Sequence, residues 1–355
     1  MNERIKKLQD FLEKDEAIII SEDNNRFYFT NFKSSAGTVL VTKEKSFLLI
    51  DFRYYEKAAK TVNGSSVLLC EKLFTQLKEL LIDNKIKKIY LETDSISVSR
   101  FTLYKDFFSD FEISDENKLS KKITELRSIK SQDEIENIKT AQALTDQTFS
   151  YILGKIKKGV TEKEIMLDME FFARSHGSEG VAFDFIVVSG KNSSLPHGVP
   201  TDKKIESGDF ITMDFGCVVN GYRSDMTRTV AVDCVTEKQK QVYDIVLKAQ
   251  AASLDAIKSG TPCNEVDAAA RDIIVNAGFG KNFGHGLGHS VGLEIHESPA
   301  CNTRDTTPLQ SGMIMTVEPG IYLENEFGVR IEDMVVVTDD GCLNLTQSPK
   351  ELIIL

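Results

Sequence analysis

Apolar residues in the first third of the chain fall into short runs separated by stretches of helical spacing. The runs AIII (17–20), TVLV (38–41), FLLI (47–50) and KKIYLE (87–92) predict strands, each bounded by polar or turn-forming residues. Between them residues 53–61, 73–83 and 99–108 carry the helical period, and Ile5, Leu8 and Leu12 mark a short amphipathic helix at the start. Residues 1–122 therefore predict an α/β unit, and they hold no cluster of His, Asp and Glu that looks catalytic.

A charged stretch, KKITELRSIKSQDE, separates this unit from the rest, which predicts a second domain over 123–355. Within it Ser131 and Glu134 have the spacing of a capping box, in which each side chain satisfies a free backbone N–H at the helix start. Ile135, Ile138, Ala141, Thr145, Phe149 and Ile152 continue as the buried stripe of a long helix. The segments IKKGVTEKEI (156–165) and IKSGTPCNEV (257–266) align without gaps, each after one predicted helix and before another. Thr161 and Asn264 are the expected N-caps of the later helices, and Gly177 and Gly278 the residues just past their ends. Two similar halves facing each other would leave a cleft between them. The alternative is chance, because helix boundaries share signals.

Length and composition narrow the class. A chain of 355 residues exceeds one ordinary core, and 41% hydrophobic with 27% charged residues describes a soluble globular protein. A net charge of −11 argues against nucleic acid or an anionic membrane as partner, since both need a positive footprint. No apolar run approaches the ~18 residues of a membrane span, and the amino terminus lacks the apolar core of a signal peptide. The expected location is the cytoplasm. Cys70, Cys217, Cys234, Cys263, Cys301 and Cys342 form no C-x-x-C pair, so they are expected to be buried or half-buried thiols rather than zinc ligands or disulfides.

The candidate chemistry lies in the second domain, which holds all five histidines, His176, His197, His285, His289 and His296. In FITMDFGCVVNGYRSDMTRTV (210–230) the Asn220–Gly221 pair predicts a type I′ hairpin. Val219 then faces Tyr222, and Asp214 faces Thr227, which puts Asp214 and Asp225 on one face as diagonal neighbours. Two carboxylates so close repel unless one is protonated or a cation lies between them. The bland alternative is a solvated face paired with Arg223 or Arg228. In NFGHGLGHSVGLEIHESP (282–299), His285 and His289 have zinc-helix spacing, but the interleaved glycines argue for an irregular, closely packed backbone. Glu318 and Glu332 sit inside apolar runs and need partners if buried, and Arg330 is the obvious partner for Glu332. Four carboxylates and a histidine are too much negative charge for one divalent ion. They suit two ions of Mn²⁺, Fe²⁺, Co²⁺ or Zn²⁺, which together activate water and polarise a carbonyl for hydrolysis.

The series LPHGVP, MDFG, SDMTRT, GHGLGHSVGLEIHE, TVEPGIY and GVRIED, in this order over residues 123–355, resembles the pita-bread metallopeptidases, closest to their Xaa-Pro aminopeptidase and Xaa-Pro dipeptidase (prolidase) branch. The resemblance implies an α+β catalytic domain with pseudo-twofold halves, preceded by a smaller creatinase-like α/β domain. It implies Asp214, Asp225, His289, Glu318 and Glu332 as ligands of two divalent metals, with Mn²⁺ foremost. Asp225 and Glu332 would bridge the metals, and Glu318 would double as general acid/base. His197 and His296 would hold substrate and oxyanion, His285 would line the proline-side pocket, Arg330 would orient Glu332, and Tyr322 would be an active-site tyrosine. His176 matches no role and is expected at a helix terminus. The substrates implied are peptides with proline second, and the assembly a homodimer. Dipeptide-specific relatives often carry an Arg where this chain has Ala300, so the aminopeptidase reading leads and the dipeptidase is the alternative, with Arg304 a possible substitute. A metal-free creatinase, a methionine aminopeptidase and a non-catalytic binding protein of the same fold are further alternatives, which the complete ligand set and the HSVGLEIHE stretch disfavour.

Overall fold

The computed structural model describes residues 2–355. One compact unit ends at Leu126 and a second runs Arg127–Leu355. In the first, the described residues form a six-stranded sheet in the spatial order Ser66–Leu69, Ser46–Ile50, Thr38–Thr42, Glu16–Ile20, Lys88–Leu91, Glu112–Ser114. Its central strands read as unbroken apolar runs because both faces are covered, with Leu40, Leu49 and Ile89 packed against Leu77, Leu81, Tyr104 and Phe108 of the flanking helices. The helix Asp23–Thr30 and the edge strands Ser66–Leu69 and Glu112–Ser114 were not anticipated. The helix opens on DNNR and buries Arg26, a pattern with no apolar stripe to announce it.

The second unit opens with the helix Gln132–Leu153, whose capping box is formed from both sides: Ser131 accepts from the Glu134 N–H and Glu134 accepts from the Ser131 N–H. Such a cap contributes about 1 kcal/mol. All six residues of the anticipated stripe are buried.

The duplication is visible in backbone detail. The helices Glu162–Ser175 and Cys263–Asn276 each span 14 residues. The preceding Gly159 and Gly260 share φ +91°, and their N–H groups donate to Ile205 and Leu309. Gly177 and Gly278 both follow the helix ends with positive φ, a conformation that costs a side-chain-bearing residue strain. Thr161 caps the first of these helices, but Asn264 does not cap the second. That helix starts at Cys263 after Pro262, whose missing N–H and fixed φ suit a helix entrance and leave Asn264 inside the first turn.

Each half then lays down three strands in the same order. The first set is Ile186–Ser189, Phe210–Phe215 and Met226–Ala231; the second is Gly288–Ser290, Ile314–Val317 and Asp333–Val337, within a five-stranded sheet. In both sets an acid lies at the end of the middle strand, Asp214 one residue inside it and Glu318 one residue past it, and the third strand begins just after another, Asp225 or Glu332. Cys234 is exposed, contrary to expectation, because it lies in the turn after Met226–Ala231. Among the described residues no helix is long and apolar enough to cross a membrane.

Candidate metal centre and its cavity

The Asn220–Gly221 turn has φ of 49° and 81°, and the strands pair Val219 with Tyr222 and Asp214 with Thr227, the register expected from the sequence. Gly216 makes the register productive. A Cβ there would lie 1.8 Å from the Ser224 carbonyl oxygen, so only glycine lets the two strands close beside Asp225. Gly288 plays the same part in the other half, where a Cβ would lie 2.1 Å from the Thr316 carbonyl oxygen. That contact brings His289 to Glu318.

Carboxylate oxygens of Asp214, Asp225 and Glu332 lie within 4.8 Å of one another. His289 Nε2 is 3.7 Å from Asp225 and 3.5 Å from Glu318. The five anticipated ligands therefore form one cluster. Its polar bookkeeping is incomplete: Asp214 Oδ1 and Glu332 Oε1 are buried without a hydrogen-bond partner. His289 adds a second mismatch. Its Nδ1 is 3.1 Å from the Ser290 carbonyl, which only accepts, so the proton sits on Nδ1. Nε2 then turns a lone pair toward the Glu318 carboxylate. Lone pairs facing lone pairs in a buried, oxygen-rich cluster fit cations between them.

Protonation follows the same logic. Burial first, then Glu332, Asp214 and Glu318, pushes the Asp225 carboxyl well above its ordinary range. Burial and then Glu318 and Asp214 do the same to Glu332. Burial pushes Glu318 up to about 8, with Arg330 opposing it. Burial brings His289 and His285 down to about 4.

A stability prediction follows. Carboxyls raised in the fold lose stabilisation as pH rises through their folded values, whereas histidines lowered to about 4 gain it as pH rises toward 6.5. The two oppose each other below pH 6.5, and only the carboxyls act between 6.5 and 8. Metal-free protein should therefore lose thermal stability across pH 6.5–8, and saturating Mn²⁺ should abolish the loss. A metal-free melting temperature flat across that window counts against the cluster.

Arg330 does not serve as expected. Its guanidinium donates to Asp214 at 2.6 Å and to Tyr322 Oη at 2.8 Å, and its Nε donates to Thr227 Oγ1 at 3.0 Å. Glu332 is oriented instead by Thr227, whose hydroxyl donates to it at 2.7 Å. Because Arg330 already donates to that hydroxyl, its single proton is committed to Glu332. Nothing in the sequence distinguishes Thr227 except its register opposite Asp214.

His197, His285, His296 and Arg330 line the same cavity of about 850 Å³ as the five clustered residues, but Tyr322 does not. Tyr322 stands behind the wall, accepting from Arg330 and donating to His285 Nε2 at 2.9 Å. His285 Nδ1 is bound to the Gly286 carbonyl, so both ring nitrogens are occupied and the ring offers the cavity a neutral face. His197 and His296 are exposed to the cavity. The His197 loop is held by Glu162, fully buried, which accepts from Ser189, Asn192 and Thr201. Nothing in the sequence sets Glu162 apart from other acids in the first turn of a helix. His176 caps its helix, with its ring stacked on Phe172.

An internally duplicated domain whose cavity is lined by a carboxylate–imidazole cluster has the donor set of a metal-dependent hydrolase. The signature of metallopeptidase family M24 matches residues 136–339, and that of the Creatinase/Prolidase N-terminal domain matches residues 4–129. The chain belongs to metallopeptidase family M24, and its carboxy-terminal unit has the pita-bread fold. The structure of an Xaa-Pro dipeptidase from Bacillus anthracis superposes with a TM-score of 0.96 at 40% identity, covering 99% of both chains. An Xaa-Pro dipeptidase from Pyrococcus horikoshii is 37% identical over 99% of both sequences. An X-Pro aminopeptidase structure from Thermotoga maritima has a TM-score of 0.91 at 37% identity, covering 98% of this chain and 100% of its own.

Proposed function

We propose that this protein hydrolyses the Xaa-Pro bond of dipeptides. The observation that carries the reading from peptidase to dipeptidase is Arg304. Two arginines line the cavity, and Arg330 is committed to Asp214 and Tyr322. The Arg304 guanidinium has no hydrogen bond or ion pair among the described residues, and its backbone is pinned by Asn302 Oδ1 at 2.9 Å. A dipeptide carries a free carboxylate one residue from the scissile bond, and an uncommitted guanidinium at the cavity wall is suited to receive it. This reading replaces the aminopeptidase preferred on Ala300 alone, and the names of the relatives from Bacillus anthracis and Pyrococcus horikoshii support it.

Asp214, Asp225, His289, Glu318 and Glu332 are proposed to hold two divalent ions, Mn²⁺ before Co²⁺, Zn²⁺ or Fe²⁺, in view of the oxygen-rich donor set. When bound, these would supply Lewis-acid polarisation of the scissile carbonyl and activation of water. Glu318, held only by a 3.4 Å contact from Thr316, would take the proton from the attacking water and deliver it to the departing proline nitrogen. His197 and His296 would donate to the carbonyl oxygen as negative charge develops there. Phe183, Phe185 and Ile295 provide an apolar wall for the pyrrolidine ring. A cytoplasmic homodimer is part of the proposal, tested by sedimentation and fractionation.

The deciding experiment compares Xaa-Pro dipeptides with Xaa-Pro-Yaa tripeptides on chelator-stripped protein reloaded with Mn²⁺. Dipeptides should be cleaved preferentially. Arg304→Ala should raise the dipeptide KM by about 10- to 100-fold, the worth of a charge-assisted hydrogen bond, and change the tripeptide far less. Tripeptide preference with a neutral Arg304→Ala would return the assignment to the aminopeptidase.

A further inference from the structure

Lys130 is a fully buried cation that no part of the catalytic reading uses. Its side chain is 1% exposed. Its Nζ donates to Ser290 Oγ at 2.9 Å and to Glu297 Oε2 at 3.2 Å. These two residues are cross-strand partners at the neck of the loop 291–296, just where the register shifts beside His289. His296 lies on that loop, and its ring meets the His289 ring edge-on at 4.4 Å.

Glu297 is the other half of the clamp. Its Oε1 accepts from the Leu293 and Glu294 N–H groups at 3.0 and 3.2 Å and from the Arg127 guanidinium, so one carboxylate gathers the loop backbone. Gly292 makes room for it, since a Cβ there would lie 2.6 Å from Glu297 Oε2. The Ser290 carbonyl in turn receives His289 Nδ1–H and sets that ring's tautomer. Lys130 itself is anchored, its N–H donating to the Gly312 carbonyl at 3.0 Å.

The geometry points to Lys130 as a positioning residue: through Glu297 and Ser290 it clamps the neck of the 291–296 loop and so fixes His296 over the reacting carbonyl beside His289. The inference rests on the dipeptidase reading for the role of His296. A buried ammonium shared among Ser290, Glu297 and, at 3.4 Å, the Ser128 carbonyl is costly to assemble, and a rigid neck is what such a site supplies, since misplacing a catalytic donor by about 1 Å can cost about 100-fold.

Lys130→Met keeps the length of the side chain and removes the charge. On Mn²⁺-loaded protein it should lower kcat for an Xaa-Pro dipeptide by about 10- to 100-fold, with KM changed less than about threefold and bound metal unchanged. The diagnostic step is a double-mutant cycle with His296→Ala. If Lys130 acts through His296, Lys130→Met should cost less than about twofold in that background. An unchanged kcat in the single variant, or an equal loss in both backgrounds, overturns the proposal. Should Lys130→Met fail to fold, Glu297→Gln, which keeps the size and half the acceptors, is measured in the same cycle with the same expectations. Wild-type protein that cleaves no Xaa-Pro substrate would defeat the dipeptidase reading instead. The clamp is then judged by the His296 imidazole resonance of Zn²⁺-loaded protein, which should be sharp in wild type and broadened in Lys130→Met; equal line widths overturn it.

Discussion

Asp225→Asn should abolish Mn²⁺-dependent peptidase activity, with a loss of about 10³-fold or more. Losing a group that merely supports a metal ligand typically costs 10- to 100-fold, and Asp225 lies at the centre of the cluster, facing Asp214, Glu332 and His289. Asparagine keeps the shape and removes the charge. The variant should also behave in an unusual way without metal. Wild type then holds four acidic side chains against one arginine, and burial with mutual repulsion already drives Asp225 and Glu332 toward their neutral forms. Removing one carboxylate relieves that repulsion. In chelator Asp225→Asn should therefore melt above wild type, and in saturating Mn²⁺ the order should reverse, because only wild type gains binding energy. Melting curves with and without Mn²⁺, together with bound metal per chain, test both halves. A variant that keeps wild-type metal content and activity would remove Asp225 from the ligand set.

The part of this centre that was legible in sequence is the part governed by local rules. Asn220–Gly221 fixes a turn, the turn fixes a register, and the register puts Asp214 opposite Thr227 and near Asp225. Ser131 and Thr161 announced their helices because each capping box is closed within four residues. The second pair of acids was harder. Glu318 and Glu332 sit in breaks, after Ile314–Val317 and before Asp333–Val337, so strand alternation does not say which way they point. The partner of Arg330 was misjudged for the same reason. Glu332 is two residues away in sequence, but Asp214, across the fold, has the geometry. Thr227, Glu162 and Lys130 were invisible because their importance lies in what they touch. A buried charge at such a position reads from sequence as an ordinary surface residue.

Arg228→Met should be the most destabilising single change outside the metal cluster, costing about 3–5 kcal/mol, the usual price of breaking a buried ion pair from one side. Arg228 is 1% exposed and Asp333 fully buried, and the two are 2.7 Å apart. The guanidinium also donates to the carbonyls of Thr227, Glu332, Ser348 and Pro349, tying the carboxy-terminal segment to Glu332 of the cluster and to Thr227, which holds it. Methionine fills the volume but leaves those carbonyls short of a donor. Asp333 would keep Gln250, Asn344 and Lys350 as partners, which should limit the damage without repairing it. Arg53→Met is the comparison, because the Arg53–Asp51 pair is exposed and solvent screening leaves pairs of that kind little to contribute. The acid limb of the stability curve should change as well. Burial pushes the Asp333 carboxyl up, but Arg228 and Lys350 overrule it and hold it below its ordinary value near 3.8. A carboxyl depressed in the fold stabilises above its ordinary value and loses that contribution as pH falls through the folded one, so wild type should weaken below about pH 4. With Arg228 gone the depression shrinks, and the loss of stability between pH 4 and pH 2 should be shallower. Urea melts of both arginine variants at pH 7 and in acid measure the two effects. If Arg228→Met destabilises no more than Arg53→Met, the contacts of Arg228 with the carboxy-terminal segment do not hold the fold together.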